Sequence, residues 1–81
     1  MRVTVRLFAR LRELAGAESL MVEVPTPATA ATVWRALCLT APALAAFERA
    51  VSCAINTNFS RMSQPVADGD DVAFLPPVSG G

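Results

Sequence analysis

The side chains that most often carry catalysis are scarce in this sequence. It has no histidine, lysine or tyrosine, and all seven of its basic residues are arginine. A Ser-His-Asp triad, a histidine-ligated zinc site, a Schiff base and a P-loop lysine are therefore excluded. Any chemistry must come from the acidic residues, the two cysteines or a main-chain group.

The acidic residues and the cysteines do not form a convincing site. Asp68, Asp70 and Asp71 are close together, but a calcium site needs a longer series of oxygen ligands that ends in glutamate. We interpret Asp68-Gly69-Asp70 as a solvated turn between strands. Cys38 and Cys53 lack CxxC spacing and are interpreted as reduced, buried residues. The sequence thus predicts no metal site.

The C-terminal segment 76–81, PPVSGG, is the best candidate for a reactive group. Its two prolines favour a stiff polyproline II arm, and six residues reach at most about 20 Å. Small residues at the tip would let the arm enter a narrow channel, with Val78 as an apolar anchor. We expect the main-chain carboxylate of Gly81 to react, and the residues that insert to be Pro76, Pro77, Val78, Ser79 and Gly80.

The rest of the chain predicts a small α+β domain over residues 1–75. Alternating apolar residues predict strands at 2–8, 19–24, 50–56 and 71–75, and a short edge strand within 58–64. Helical patterns predict a short helix at 9–15 ended by Gly16, a main helix at 29–40 capped by Thr29 or Thr32, and a short turn at 43–49. Trp34 is expected to anchor the core. The expected fold is a mixed sheet of four to five strands, its first two strands antiparallel, with one main helix packed across it and short extra helical turns.

Composition excludes several classes of function. The chain has 81 residues, 53% of them hydrophobic, and a formal net charge of zero, which argues against disorder. A neutral chain has no electrostatic footprint for nucleic acid or an anionic membrane, so neither is expected as a partner. No apolar run resembles a membrane span or a signal peptide, which predicts a cytoplasmic protein.

Two stretches of the sequence resemble a known family. DGDDVAFLPPVSGG, which begins at Asp68, and VRLFARLRELAG near the N-terminus are similar to the small subunit of molybdopterin synthase, the MoaD family. The resemblance covers essentially the whole chain, and it extends more loosely to ThiS-type carriers and ubiquitin-like proteins. It implies a ubiquitin-like β-grasp fold, which agrees with the predicted order of elements.

The resemblance also implies a chemistry for Gly81. A MoeB-type enzyme would consume ATP to adenylate its carboxylate, and sulfur from a persulfide donor would replace AMP to give a thiocarboxylate. The tail would insert into a MoaE-type large subunit and deliver sulfur to cyclic pyranopterin monophosphate, within a heterotetramer. The chain would be a carrier with no tightly bound cofactor, and the active site would lie mainly on the large subunit.

Three residues are expected to contact these partners: Phe74, Leu75 and Phe59. Phe74 and Leu75 lie on opposite faces of the last strand, so one belongs to the core and the other to the surface. Phe59 fits an edge-strand core position equally well.

Two alternative functions remain open from the sequence. One is a sulfur carrier for thiamin, tRNA thiolation or a tungsten-specific pterin. The other is a ubiquitin-like modifier or a plain binding module. The modifier would form isopeptide bonds through Gly81, recognised by conjugates on partner lysines, and the binding module would form none.

Overall fold

The computed structural model describes residues 1–77. Strands and helices alternate at first, and strands predominate after the main helix. The elements are β1 (Arg2–Leu7), α1 (Ala9–Ala15), β2 (Ser19–Glu23), β3 (Ala28–Thr29), α2 (Ala30–Thr40), a 3₁₀ helix (Pro42–Phe47), β4 (Ser52–Ile55), β5 (Asn58–Ser60), β6 (Pro65–Val66) and β7 (Asp71–Leu75).

Five strands form one mixed sheet in the order β2-β1-β7-β4-β5. β1 runs antiparallel to β2 and parallel to β7, and β4 runs antiparallel to both β7 and β5. The predicted α+β class and the antiparallel first pair are confirmed. β7 is the central strand, so the segment that follows Leu75 leaves from the middle of the sheet.

The core lies between one face of this sheet and α2. Alternate residues of β1 and β7, such as Val5 and Val72, are fully buried there. The Trp34 ring on α2 meets Phe74 edge to face, with centroids 5.0 Å apart and an interplanar angle of 62°. The expected role of Trp34 as a core anchor is confirmed, since only 1% of it is exposed.

The helix boundaries follow the predicted caps. Gly16 has a φ of 74° and its N–H donates to the Arg12 carbonyl, so α1 ends in the left-handed conformation that glycine favours. Thr29 caps α2: its Oγ1 accepts from the Thr32 N–H at 3.3 Å, and its own N–H donates to Thr32 Oγ1 at 3.1 Å. Both threonines named from the sequence therefore take part in one capping box.

The pairing of two very short strands that are distant in the sequence was not predicted. Ala28 and Val66 face each other in a two-stranded sheet of β3 and β6. Each strand has only two residues, too few to show alternation, so its formation depends on tertiary contact. Among the described residues, no helix has the length and apolar character that crossing a bilayer requires.

Candidate functional site

The sheet face away from α2 carries a shallow depression beside the end of β7. Arg6, Ala73, Ala54 and Phe59 lie in one row across β1, β7, β4 and β5. The two alanines leave a low floor between larger neighbours. The apolar depression, as we call it, has a volume of about 500 Å³, and its apolar lining consists of Phe8, Ala54, Phe59, Ala73 and Leu75.

The three predicted contact residues differ in where they lie. Phe59 is 79% exposed and Leu75 is half-buried, and both line the apolar depression. Phe74 has no exposed surface, because its side chain points to the opposite face and packs on Trp34. The expectation that Phe74 contacts a partner is therefore wrong.

Sequence reasoning missed Phe8 as a lining residue. It is 46% exposed and follows β1 directly. Alternation along the first strand places it on the same side as Arg6, so this signal was present in the sequence. No local signal marked Ala54 and Ala73, because their role as a floor depends on which strands are neighbours.

One rim of the depression is polar. Arg6 Nε donates to Asp71 Oδ2 at 2.7 Å, and this hydrogen bond and the Asp71 charge raise the pKa of Arg6. The Asn56 side chain donates from Nδ2 to Asp70 Oδ1 at 2.9 Å and accepts from the Asp71 N–H at 3.0 Å. The site is thus apolar towards Leu75 and hydrogen-bonded at its other end.

The aspartates before β7 bind main-chain groups. Asp68 Oδ1 accepts from the Arg2 N–H at 2.8 Å, and Asp70 Oδ2 accepts from the Ala67 N–H at 2.7 Å. With Gly69 at a φ of 86°, the predicted turn is confirmed. Within residues 1–77, no group of three acidic or cysteine side chains is placed to hold a metal ion.

Both cysteines are free thiols. Cys53 is 1% exposed and its Sγ donates to the Ser60 carbonyl at 3.3 Å, whereas Cys38 is half-buried on α2. Burial raises the pKa of both thiols. The thiolate, which is the reactive form, is therefore disfavoured at each position.

The predicted reactive segment begins where β7 ends. Pro76 is half-buried and Pro77 is exposed directly after Leu75. The other predicted tail residues, namely Val78, Ser79, Gly80 and Gly81, lie outside the described residues. A larger open groove, of about 730 Å³, lies beside Met1, Met21 and Asp68 at the end of the sheet away from Leu75, so it is not part of this site.

Comparisons with known proteins agree with this geometry. The model of the ThiS family matches residues 5–81. The molybdopterin synthase sulfur carrier subunit of Arabidopsis thaliana is 35% identical over 98% of this chain and 82% of its own length. Two solved structures each match 100% of both chains: SAMP1 from Haloferax volcanii, with a TM-score of 0.85 and 31% identity, and a complex of subunits 1 and 2 of the molybdopterin-converting factor from Helicobacter pylori, with a TM-score of 0.67 and 26% identity.

Fold and site together define a ubiquitin-like β-grasp protein, and the chain belongs to the ThiS family. The more particular resemblance noted in the sequence is confirmed as well. Relatives named molybdopterin synthase sulfur carrier subunit are 28–35% identical to this chain over nearly all of its length.

Proposed function

We propose that this chain is the sulfur-carrier subunit of a molybdopterin synthase. One observation carries the proposal: the family match runs through residue 81 and so includes the PPVSGG segment, which follows the central strand of the sheet in the sequence. The relatives that share nearly the whole chain bear this function in their names.

The proposed chemistry takes place on the Gly81 carboxylate. A carboxylate is a poor electrophile, so an activating enzyme first transfers AMP to it from ATP and releases pyrophosphate. The terminal sulfur of a persulfide then displaces AMP and forms an acyl disulfide. A second thiol cleaves its S–S bond, becomes a disulfide with the donor sulfur and releases a thiocarboxylate, which is a better nucleophile than the carboxylate at neutral pH. The chain supplies the arm and the acyl group, and its partners supply the catalytic groups, so no tightly bound cofactor is needed.

The apolar depression is the proposed docking surface for the large subunit and, in alternation, for the MoeB-type activating enzyme. The four residues beyond Pro77 reach at most about 14 Å, so any protein that acts on Gly81 must approach this end of the sheet closely. Leu75 and Phe59 present exposed apolar surface there. Burial of such surface is the main driving force for most protein association.

The same proposal covers the assembly and its substrate. The acceptor is cyclic pyranopterin monophosphate, whose dithiolene needs two sulfur atoms. Two carrier chains would therefore serve two large subunits in a heterotetramer, and the expected compartment is the cytoplasm.

A second candidate function is supported by the likeness to SAMP1, a small archaeal modifier protein. A modifier would use the same arm but form an isopeptide bond between Gly81 and a partner lysine. Carriers for thiamin or tRNA sulfur would share the thiocarboxylate and differ only in the acceptor.

The decisive test is the state of Gly81 after incubation with MgATP, a MoeB-type enzyme and a persulfide donor. We expect a thiocarboxylate on the C-terminal peptide, detected by mass and by alkylation. Alkylation is needed because oxidation of any of the three methionines gives the same nominal mass change as exchange of oxygen for sulfur. An unmodified Gly81, with a control carrier converted in parallel, would contradict the proposal.

The acceptor is tested in a second step. Adding the large subunit and cyclic pyranopterin monophosphate should remove sulfur from Gly81 and yield the dithiolene. A chain extended by one residue after Gly81 is the matched control and should neither accept nor donate sulfur. Conjugates on partner lysines, without dithiolene formation, would instead support the modifier.

A further inference from the structure

Strained backbone lies at two points beside the apolar depression. Within residues 1–77, the non-glycine residues with positive φ are Ala9 at 52°, Asn56 at 50° and Thr57 at 71°. Asparagine tolerates this conformation, but alanine and the β-branched threonine adopt it at a cost. Such residues persist where the surrounding structure holds them, and they cluster at functional sites.

Each strained residue is close in sequence to an exposed phenylalanine that lines the depression. Ala9 follows Phe8 and is the first residue of α1. Thr57 belongs to the two-residue connection between β4 and β5, and Phe59 follows two residues later. Two-residue hairpins with positive φ at both positions favour Asn-Gly, so threonine in the second position departs from the residue that this turn prefers.

The two phenylalanines are not held by burial in the core. Phe8 is 46% exposed and Phe59 is 79% exposed, so little packing directs either side chain, and the backbone sets the side from which each ring reaches the depression through the direction of its Cα–Cβ bond. Hydrogen bonds hold the path of the backbone. The Leu11 N–H donates to the Phe8 carbonyl at 3.1 Å, and the Asn56 N–H donates to the Asp71 carbonyl at 2.7 Å.

We propose that Ala9 and Thr57 are positioning residues that fix Phe8 and Phe59 as opposite walls of the apolar depression. The occupant is an apolar side chain of the large subunit, seated on the alanine floor; this inference rests on the proposed function. A residue with a Cβ has a narrow left-handed well, whereas glycine has a broad one. The strained residues thus restrict the backbone from which the two rings project before the partner arrives, which lowers the ordering cost of binding.

The test replaces each strained residue by glycine. Ala9→Gly and Thr57→Gly relieve strain, so each should raise Tm, on the order of 4 °C after the greater entropy of unfolded glycine is counted. The same variants should bind the large subunit of the same organism roughly 3- to 10-fold more weakly, because the rings are no longer pre-ordered. A purely structural role would not move stability and affinity in opposite directions.

Two matched variants test whether the loss of affinity comes from the backbone freedom of glycine or from another effect of the substitution. Thr57→Ala removes the hydroxyl and methyl groups but keeps the Cβ, so it should lose less affinity than Thr57→Gly. Ala36→Gly, in α2 and away from the depression, should lower Tm and leave affinity unchanged, because glycine disfavours regular helix.

The inference is overturned if the glycine variants bind as tightly as the wild type, or if neither raises Tm. Phe59→Ala and Leu75→Ala show which idea has failed. If these two also bind normally, the depression is not the docking surface, and that part of the proposed function fails. If they weaken binding and the glycine variants do not, only the positioning role is wrong.

Discussion

At the scale of single residues, Asp70 ties together parts of the chain that are distant in sequence. Its carboxylate accepts from the Ala67 N–H at 2.7 Å and from Asn56 Nδ2 at 2.9 Å, and its carbonyl accepts from the Thr4 N–H at 2.9 Å. The hydrogen bond from Ala67, and then that from Asn56, lowers the pKa of Asp70 below its ordinary value. The ionised form is therefore the one that the fold prefers.

This preference gives a pH dependence of defined sign. A carboxylate whose pKa is lower in the folded state stabilises the fold above its unfolded pKa, and the stabilisation is lost as the pH falls through the folded value, below about pH 4. Asp70→Asn should have a lower Tm than the wild type at pH 7, and the difference should shrink on acidification to about pH 3. Thermal unfolding monitored by circular dichroism would measure this.

Glu48→Gln supplies the control, because the Glu48 side chain accepts no hydrogen bond from residues 1–77. The difference in Tm between Glu48→Gln and the wild type should change less over the same pH range. A difference in Tm between Asp70→Asn and the wild type that does not vary with pH would contradict the prediction.

Neighbouring residues at the end of β7 should separate stability from partner binding. Phe74→Leu removes the edge-to-face contact with Trp34 and should lower the free energy of unfolding by about 1–2 kcal/mol. Leu75→Ala, on the open face, should cost less than about 1 kcal/mol but weaken binding of the large subunit about 10-fold. Urea unfolding monitored by the single tryptophan, together with a binding titration, tests both. Equal effects of the two substitutions on stability would count against this division.

At the scale of elements, N–H groups at the start of α2 that have no partner within the helix are hydrogen-bonded by the N-cap residue and by a neighbouring loop. Thr29 caps the Thr32 N–H, while the Ala30 N–H donates to the Gln64 carbonyl at 3.0 Å and the Ala31 N–H to the Met62 carbonyl at 2.8 Å. The first N–H groups of a helix otherwise lack intrahelical partners. The loop before β6 therefore fastens the helix that covers the sheet.

Thr29→Ala should remove the cap and lower the free energy of unfolding by about 1 kcal/mol, a fall in Tm of about 4–8 °C. Thr40→Ala, at the other end of the same helix, loses the hydrogen bond from its hydroxyl to the Leu37 carbonyl. It should lower the free energy of unfolding by less than Thr29→Ala does. Thermal unfolding of both variants measures the difference. An effect of Thr40→Ala as large as that of Thr29→Ala would show that the cap is not the cause.

At the scale of the whole molecule, we expect the domain over residues 1–75 to fold without the arm. The central strand is paired on both sides, by β1 and by β4, before the arm begins. Removing residues 78–81 should change Tm by less than about 3 °C, as for a surface change, and abolish sulfur transfer. Unfolding scans would measure the first effect, and dithiolene formation with the large subunit and cyclic pyranopterin monophosphate would measure the second. A large loss of stability would mean that the arm packs on the domain.

The sequence alone determined features that depend on local pattern or on main-chain chemistry. Alternation of period two located the strands at 2–8 and 71–75, and capping chemistry located Gly16 and Thr29, because each rule acts within a few residues. The proposal of Gly81 as the reactive residue likewise needed only the residue types of the tail and the family they resemble.

The tertiary structure decided which strands are neighbours, and so what the docking surface contains. Only pairing placed Ala73 between Arg6 and Ala54, and only the central position of β7 put Leu75, after which the arm begins, at the apolar depression. It also assigned Phe74 to the core and Leu75 to the open face. These features depend on which strands are neighbours in the sheet, and contacts between residues far apart in the chain decide that order.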